Sequence, residues 1–166
     1  MRVVTEPRHK GESASDAIGV LYRCHRERLW RALVAFTADR DVASDATAEA
    51  FAQLLRRGAV VRDPASWVWR AAFRIAAGEL KARRARGLPL PPATPVPSHV
   101  NLESFELVEA LQRIPLSQRQ VLILRYYAGY SAKEIAAMLD STHAAVRMRL
   151  SRARLALRRL LEEADA

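Results

Sequence analysis

A run of five prolines between Pro89 and Pro97, inside the stretch GLPLPPATPVPSHVN (Gly87 to Asn101), divides the chain. Proline fixes φ and carries no backbone N–H, so no helix crosses such a run, and it favours an extended, semi-rigid connector. On both sides of it apolar residues recur at helical spacing, and sustained period-two alternation is absent. The spacing therefore predicts an all-α protein of two small helical lobes joined by a Pro-rich linker. The expected boundaries are a flexible N-terminal arm over 1–15, a first lobe over 16–86, the linker over 87–101 and a second lobe over 102–166.

In the first lobe, Ile18, Leu21, Tyr22, Leu29, Leu33 and Phe36 predict a helix from about Asp16 to Thr37. A second runs from about Val42 to Arg57, with Gly58 as its C-cap. Asp63 and Pro64 make an N-cap and first-turn pair for a third, reaching about Arg84. In the second lobe Ser117 is the expected cap of a helix ending near Gly129. Ser131 and Glu134 form a capping box for the next. A break at Asp140-Ser141 leads to a last helix capped by Thr142. Helix, tight turn, helix is the pattern of a helix-turn-helix lobe, of winged-helix-like type.

The last helix carries the charge that needs explaining. Of the 20 residues from Thr142 to Leu161, six are arginine and none is acidic, in a chain of net charge +9. A solvated helix face usually mixes signs, because like charges one turn apart repel. The 24 arginines against three lysines could reflect a coding bias, so placement has to decide. Val146, Leu150, Ala153 and Leu157 fall along one inward stripe. Ala144, Met148 and Ser151 lie outward between Arg147 and Arg152. Small residues flanked by long cations suit the floor of a DNA major groove, where arginine grips guanine bidentately. Recognition helices approach bases with their N-terminal residues. His143, Ala144, Arg147 and Met148 are thus the expected readers, and Arg152, Arg154, Arg158 and Arg159 the expected phosphate contacts.

A second basic region spans Arg56 to Arg86, with nine cations against two acids, Asp63 and Glu79. Aromatics beside cations form platforms on which single-stranded bases stack. Trp67 reads as core at this spacing, whereas Trp69 lies well round the helix and is expected to be exposed beside Arg70 and Arg74.

Other classes fare poorly. A single cysteine, Cys24, precludes an internal disulfide framework and fits a reducing cytosol. The histidines lack metal spacing, no apolar run spans a membrane, and the N-terminus lacks the apolar core of a secretory signal. No nucleophile, metal cluster or phosphate-cradling glycine loop argues for an enzyme, and no cofactor is expected.

The stretch LQRIPLSQRQVLILRYYAGYSAKEIAAML, continuing into STHAAVRMRLSRARLAL, resembles region 4 of bacterial RNA polymerase sigma factors of the extracytoplasmic-function group, a branch of the sigma-70 family. DVASDATAEAFAQLLRR resembles the region 2 helix that binds the polymerase clamp, and PASWVWRAAFRIAAGELKARRAR the segment that opens and holds the −10 element. The resemblance covers about Ala17 to Glu163. It implies a cytoplasmic, non-catalytic initiation factor whose partners are core RNA polymerase, promoter DNA and an anti-sigma factor, with no membrane. It implies polymerase contacts at Asp45, Glu49, Gln53 and Arg56. It implies −10 contacts at Arg62, Trp69, Arg70, Arg74, Lys81, Arg83 and Arg84, with the loop Gly58 to Asp63. It implies −35 contacts at Ser131, Lys133, Thr142, His143, Ala144, Arg147, Met148, Arg149, Ser151 and Arg152. The sequence departs from the family pattern at Ala48, Arg74, Ala77-Gly78 and Asp140. Competing readings are a stand-alone helix-turn-helix regulator and a protein-interaction adaptor.

Overall fold

In the computed structural model, residues 10–89 and 105–166 are described, and every element among them is helical. The first lobe holds α1 (Lys10–Thr37), α2 (Arg40–Arg57) and α3 (Pro64–Ala85). The second holds α4 (Phe105–Arg113), α5 (Leu116–Leu122), α6 (Ala132–Met138) and α7 (His143–Asp165). The all-α expectation stands, and no strand that could form a wing occurs among the described residues. Most of the expected linker, 90–101, and positions 1–9 of the expected arm lie outside the described residues. Residues 10–15 belong to α1, not to an arm.

The turn between α1 and α2 is tight because Asp39 organises it. Its carboxylate accepts hydrogen bonds from Asp41 N (2.8 Å) and Val42 N (3.0 Å), so it caps α2. Its other oxygen holds Arg83 of α3, which also bonds Glu79. One buried carboxylate thus ties all three helices. Burial alone would raise its pKa, but the bond from Val42 N, the hydrogen bond and charge of Arg83 and the bond from Asp41 N together hold it below the ordinary carboxylate range. Gly58 ends α2 at φ 59°, ψ −138°, a conformation that a side chain disfavours, and its N–H closes on the Leu54 carbonyl. A short 3-10 turn, Gly58–Val60, then leads to α3, which Asp63 caps through Ser66 N at 3.2 Å with Pro64 in the first turn.

Two second-lobe caps also match expectation. Ser131 accepts from Glu134 N at 3.1 Å while Glu134 accepts from Ser131 N at 2.7 Å, and Thr142 accepts from Ala145 N at 3.1 Å. The cap of α5 does not. Pro115 stands at its N-cap, so Ser117 falls inside the first turn and makes no cap. Proline suits that boundary because it has no N–H to leave unpaired. Beyond α5 the backbone widens into one π turn, Ile123–Tyr127, with Ala128 N bonded to the Ile123 carbonyl at 3.0 Å.

The lobes share a core. Leu29, Phe36, Trp69 and Phe73 of the first and Val121, Leu124, Ile135 and Val146 of the second belong to one buried cluster. A smaller cluster of Leu111, Ile114, Leu122 and Ala153 seats α7 on α4 and α5. Polar bonds cross the same seam. Gln112 Nε2 donates to the Ala35 carbonyl at 2.7 Å, and Arg119 Nη1 to the Phe36 carbonyl at 2.5 Å, at the C-terminal end of α1. Arg119 is buried and also bonds the Gln112 and Ile114 carbonyls. Burial, then the nearby charge of Arg84, pull its pKa down to about 10, so it remains a cation at neutral pH.

Candidate nucleic-acid interface

On α7, Val146, Leu150 and Ala153 are buried against the preceding helices, as the stripe requires. The opposite side is open. His143, Ala144, Arg147, Ser151 and Arg152 are exposed, Met148 is 54% exposed and Arg149 is half-buried. The residues read as groove floor and groove rim therefore share one accessible face with no acid among them. Ser131 and Thr142 spend their hydroxyls on the caps of α6 and α7, and Lys133 is exposed. Asp140, where the family pattern places glycine, adopts φ 48°. Asp is among the few residues with a side chain that tolerate this left-handed conformation, so the tight turn survives the departure. Further along α7, Arg158 and Arg159 are exposed and Arg154 bonds the Tyr126 hydroxyl at 3.0 Å.

In the first lobe, the region expected to face an opened strand is arranged differently from expectation. Trp69 is buried, at 1% exposure. Its indole Nε1 donates to His25 Nδ1 at 3.3 Å, and its ring meets the edge of Tyr130 from the second lobe at a centroid distance of 6.2 Å. The expectation that Trp69 is an exposed platform is therefore corrected. Spacing within α3 revealed which side faces α1 and α2, but the second lobe covers a further side that periodicity cannot report. Trp67, read as core, is only half-buried and lies under the Arg57 guanidinium at 5.5 Å. Arg57, Trp67, Arg70, Ala71 and Arg74 line a hollow of about 160 Å³. Arg57 was missed because the 3-10 turn and Asp63 separate it from α3 in sequence.

The other basic residues divide between two situations. Arg62, Arg74, Lys81 and Arg84 are exposed. Arg83 is held within the lobe by Asp39 and Glu79, and Arg70 is ion-paired to Asp140 across the seam. Arg83 thus has a structural task in this arrangement. On α2, Asp45, Glu49 and Arg56 are exposed and Gln53 is half-buried. Gln53 and Arg56 both donate to Glu49 at 2.9 Å and hold its carboxyl below the ordinary range. No group of three or more metal-ligating side chains, and no helix long and apolar enough to cross a membrane, occurs among the described residues.

The second lobe presents a capped helix-turn-helix whose last helix has an acid-free basic face. The family model described as Sigma-70, region 4 matches residues 104–157. The chain is 28% identical over 170 residues to the ECF RNA polymerase sigma factor SigL of Mycobacterium tuberculosis, covering 94% of this chain and 96% of that protein. It is 28% identical over 174 residues to the probable RNA polymerase sigma factor RfaY of Xanthomonas campestris pv. campestris, covering 95% of this chain but only 44% of that longer relative. The chain is thus similar to sigma-70 region 4 over 104–157 and, over nearly its whole length, to an extracytoplasmic-function sigma factor. The fold agrees: it is similar to a sigma factor RpoE solved with the anti-sigma factor NepR from Bartonella quintana (TM-score 0.73, 17% identity, 87% of this chain and 96% of that one). It is also similar to CnrH in complex with the cytosolic domain of CnrY (TM-score 0.72, 24% identity, 95% and 94%).

Proposed function

We propose that this chain binds core RNA polymerase through the first lobe, reads −35 duplex with α7, and stabilises opened −10 strand with the basic surface of α3. The observation that carries this reading is the outward face of α7, where Met148 and Ser151 lie exposed between Arg147 and Arg152 with no acid beside them. Asp45, Glu49, Gln53 and Arg56 form the polymerase-facing surface. The loop from Gly58 to Asp63 faces the separated strand together with Arg57, Arg62, Arg70, Arg74, Lys81 and Arg84. The chain performs no bond-making chemistry; it positions polymerase and holds strands apart. An anti-sigma protein is a further partner, supported by the RpoE and NepR complex on the same fold.

The test separates base reading from phosphate contact. Once a bound duplex has been selected from random sequence, Arg147→Ala should weaken it by about 1–3 kcal/mol and relax preference at one position. Arg158→Ala should weaken all duplexes alike and lower the salt slope by about one. Equal effects of the two substitutions on every sequence would contradict the assignment of α7.

A further inference from the structure

A cavity of about 910 Å³ opens between α1 on one side and α4, the π turn and α7 on the other. That size falls within the roughly 300–1,000 Å³ of small-molecule pockets. Its floor is apolar: Leu111 and Leu122 belong to the buried cluster under α7, and Leu157 and Leu161 of α7 border the cavity half-buried. Its rim is cationic, with Arg23, Arg28, Arg31, Arg154 and Arg158 against the acids Glu27, Glu162 and Asp165. Glu27 is ion-paired to Arg31, and Arg28 donates to the Tyr127 carbonyl at 2.5 Å. Arg23 and Arg158 are exposed and have no ion-pair or hydrogen-bond partner among the described residues.

The π turn, a conformation concentrated at functional sites, sets Tyr126 on the wall of this cavity at 58% exposure. Arg154 donates to the Tyr126 hydroxyl at 3.0 Å, which leaves the phenol proton to be donated in turn. Arg154 and Arg158 stand one helical turn apart, and Leu157 and Leu161 share their face of α7. Two guanidinium groups and a polarised hydroxyl therefore adjoin a surface that offers only hydrocarbon.

We propose that the cavity binds a single-chain anionic amphiphile of the fatty-acid class. Its carboxylate lies against Arg154, Arg158 and the Tyr126 hydroxyl, and its alkyl chain covers Leu111, Leu122, Leu157 and Leu161. A carboxylate suits the head position because it accepts the paired N–H bonds of a guanidinium. An alkyl chain suits the floor because it removes apolar surface from water without leaving a polar group unpaired. The site lies outside the proposed function but touches it, because Arg154 and Arg158 are among the expected phosphate contacts. With that function as its basis, a filled site should weaken duplex binding.

Calorimetric titration of the full chain with dodecanoate, kept below its micelle concentration, tests the site. Dodecyltrimethylammonium supplies the same chain with a cationic head, and acetate the head without the chain. Dodecanoate should bind at one saturable site and neither control should. Tyr126→Phe should weaken it by about three- to tenfold, the loss of one hydrogen bond to a charged group. Cys24 is exposed and borders the cavity, so Cys24→Trp should block the site, and in the unaltered chain dodecanoate should slow alkylation of Cys24 by N-ethylmaleimide. Both substitutions fall at exposed positions, and circular dichroism checks that the fold is kept. Equal binding of the cationic amphiphile, or alkylation of Cys24 at an unchanged rate, would overturn the proposal. Absence of a saturable site would overturn it too, in favour of an acidic helix of a protein partner as the occupant. Unchanged duplex affinity with the site filled would leave the amphiphile site standing and remove the phosphate assignment of Arg154 and Arg158.

Discussion

At the scale of single residues, Asp39 shows how one side chain does several jobs. It caps α2, anchors Arg83 of α3 and sits at 7% exposure in the α1 to α2 turn. Because folding lowers its pKa, the ionised form stabilises the fold at neutral pH. That contribution is present in full above the unfolded carboxylate value near 4, and is lost as pH falls from there through the lowered folded value. Asp39→Asn retains a capping oxygen but not the charge. It should cost about 1 kcal/mol at neutral pH, a screened charge-assisted bond, and the deficit should vanish in acid. Urea unfolding of both proteins across the acid range checks this, and a deficit independent of pH would contradict it. Trp69 shows where reading single residues stops. Its place on α3 was legible, but its partners include His25 and Tyr130, far away in sequence, and no local spacing encodes those meetings.

Elements were the most legible scale. Asp63 with Pro64, Ser131 with Glu134, and Thr142 each announced a helix start, because capping is decided within three or four residues. The α5 start was misread for the same reason: serine beside proline offered two local solutions, and the chain took the proline. The π turn at Ile123–Tyr127 left no mark in the pattern, since one inserted residue does not disturb a short apolar run. Gly78 of α3 is the clearest element-scale prediction. It is exposed, and a Cβ there meets open space. Gly78→Ala should therefore stabilise the first lobe by about 0.5–1 kcal/mol through the entropy lost by the unfolded chain. Thermal unfolding checks it, and a destabilised variant would mean that the space around α3 is occupied.

For the whole molecule, the all-α class was legible from the helical spacing, while the seam between the helices before and after the prolines was not. The seam rests on long-range partners, such as Arg119 with the Phe36 carbonyl and Arg28 with the Tyr127 carbonyl. Each is an ordinary arginine in sequence. Burying the Arg119 cation is tolerable because carbonyls surround it at the end of α1, and truncating it would leave them unpaired.

The central claim is that the chain directs polymerase to promoters, and run-off transcription on fragmented genomic DNA tests it most directly. Purified bacterial core polymerase would be compared with and without the full chain. The account predicts new transcripts whose start sites share an upstream motif, and their loss with Arg70→Ala and Arg74→Ala together. Absence of both transcripts and polymerase binding would contradict it, and would favour a stand-alone helix-turn-helix regulator.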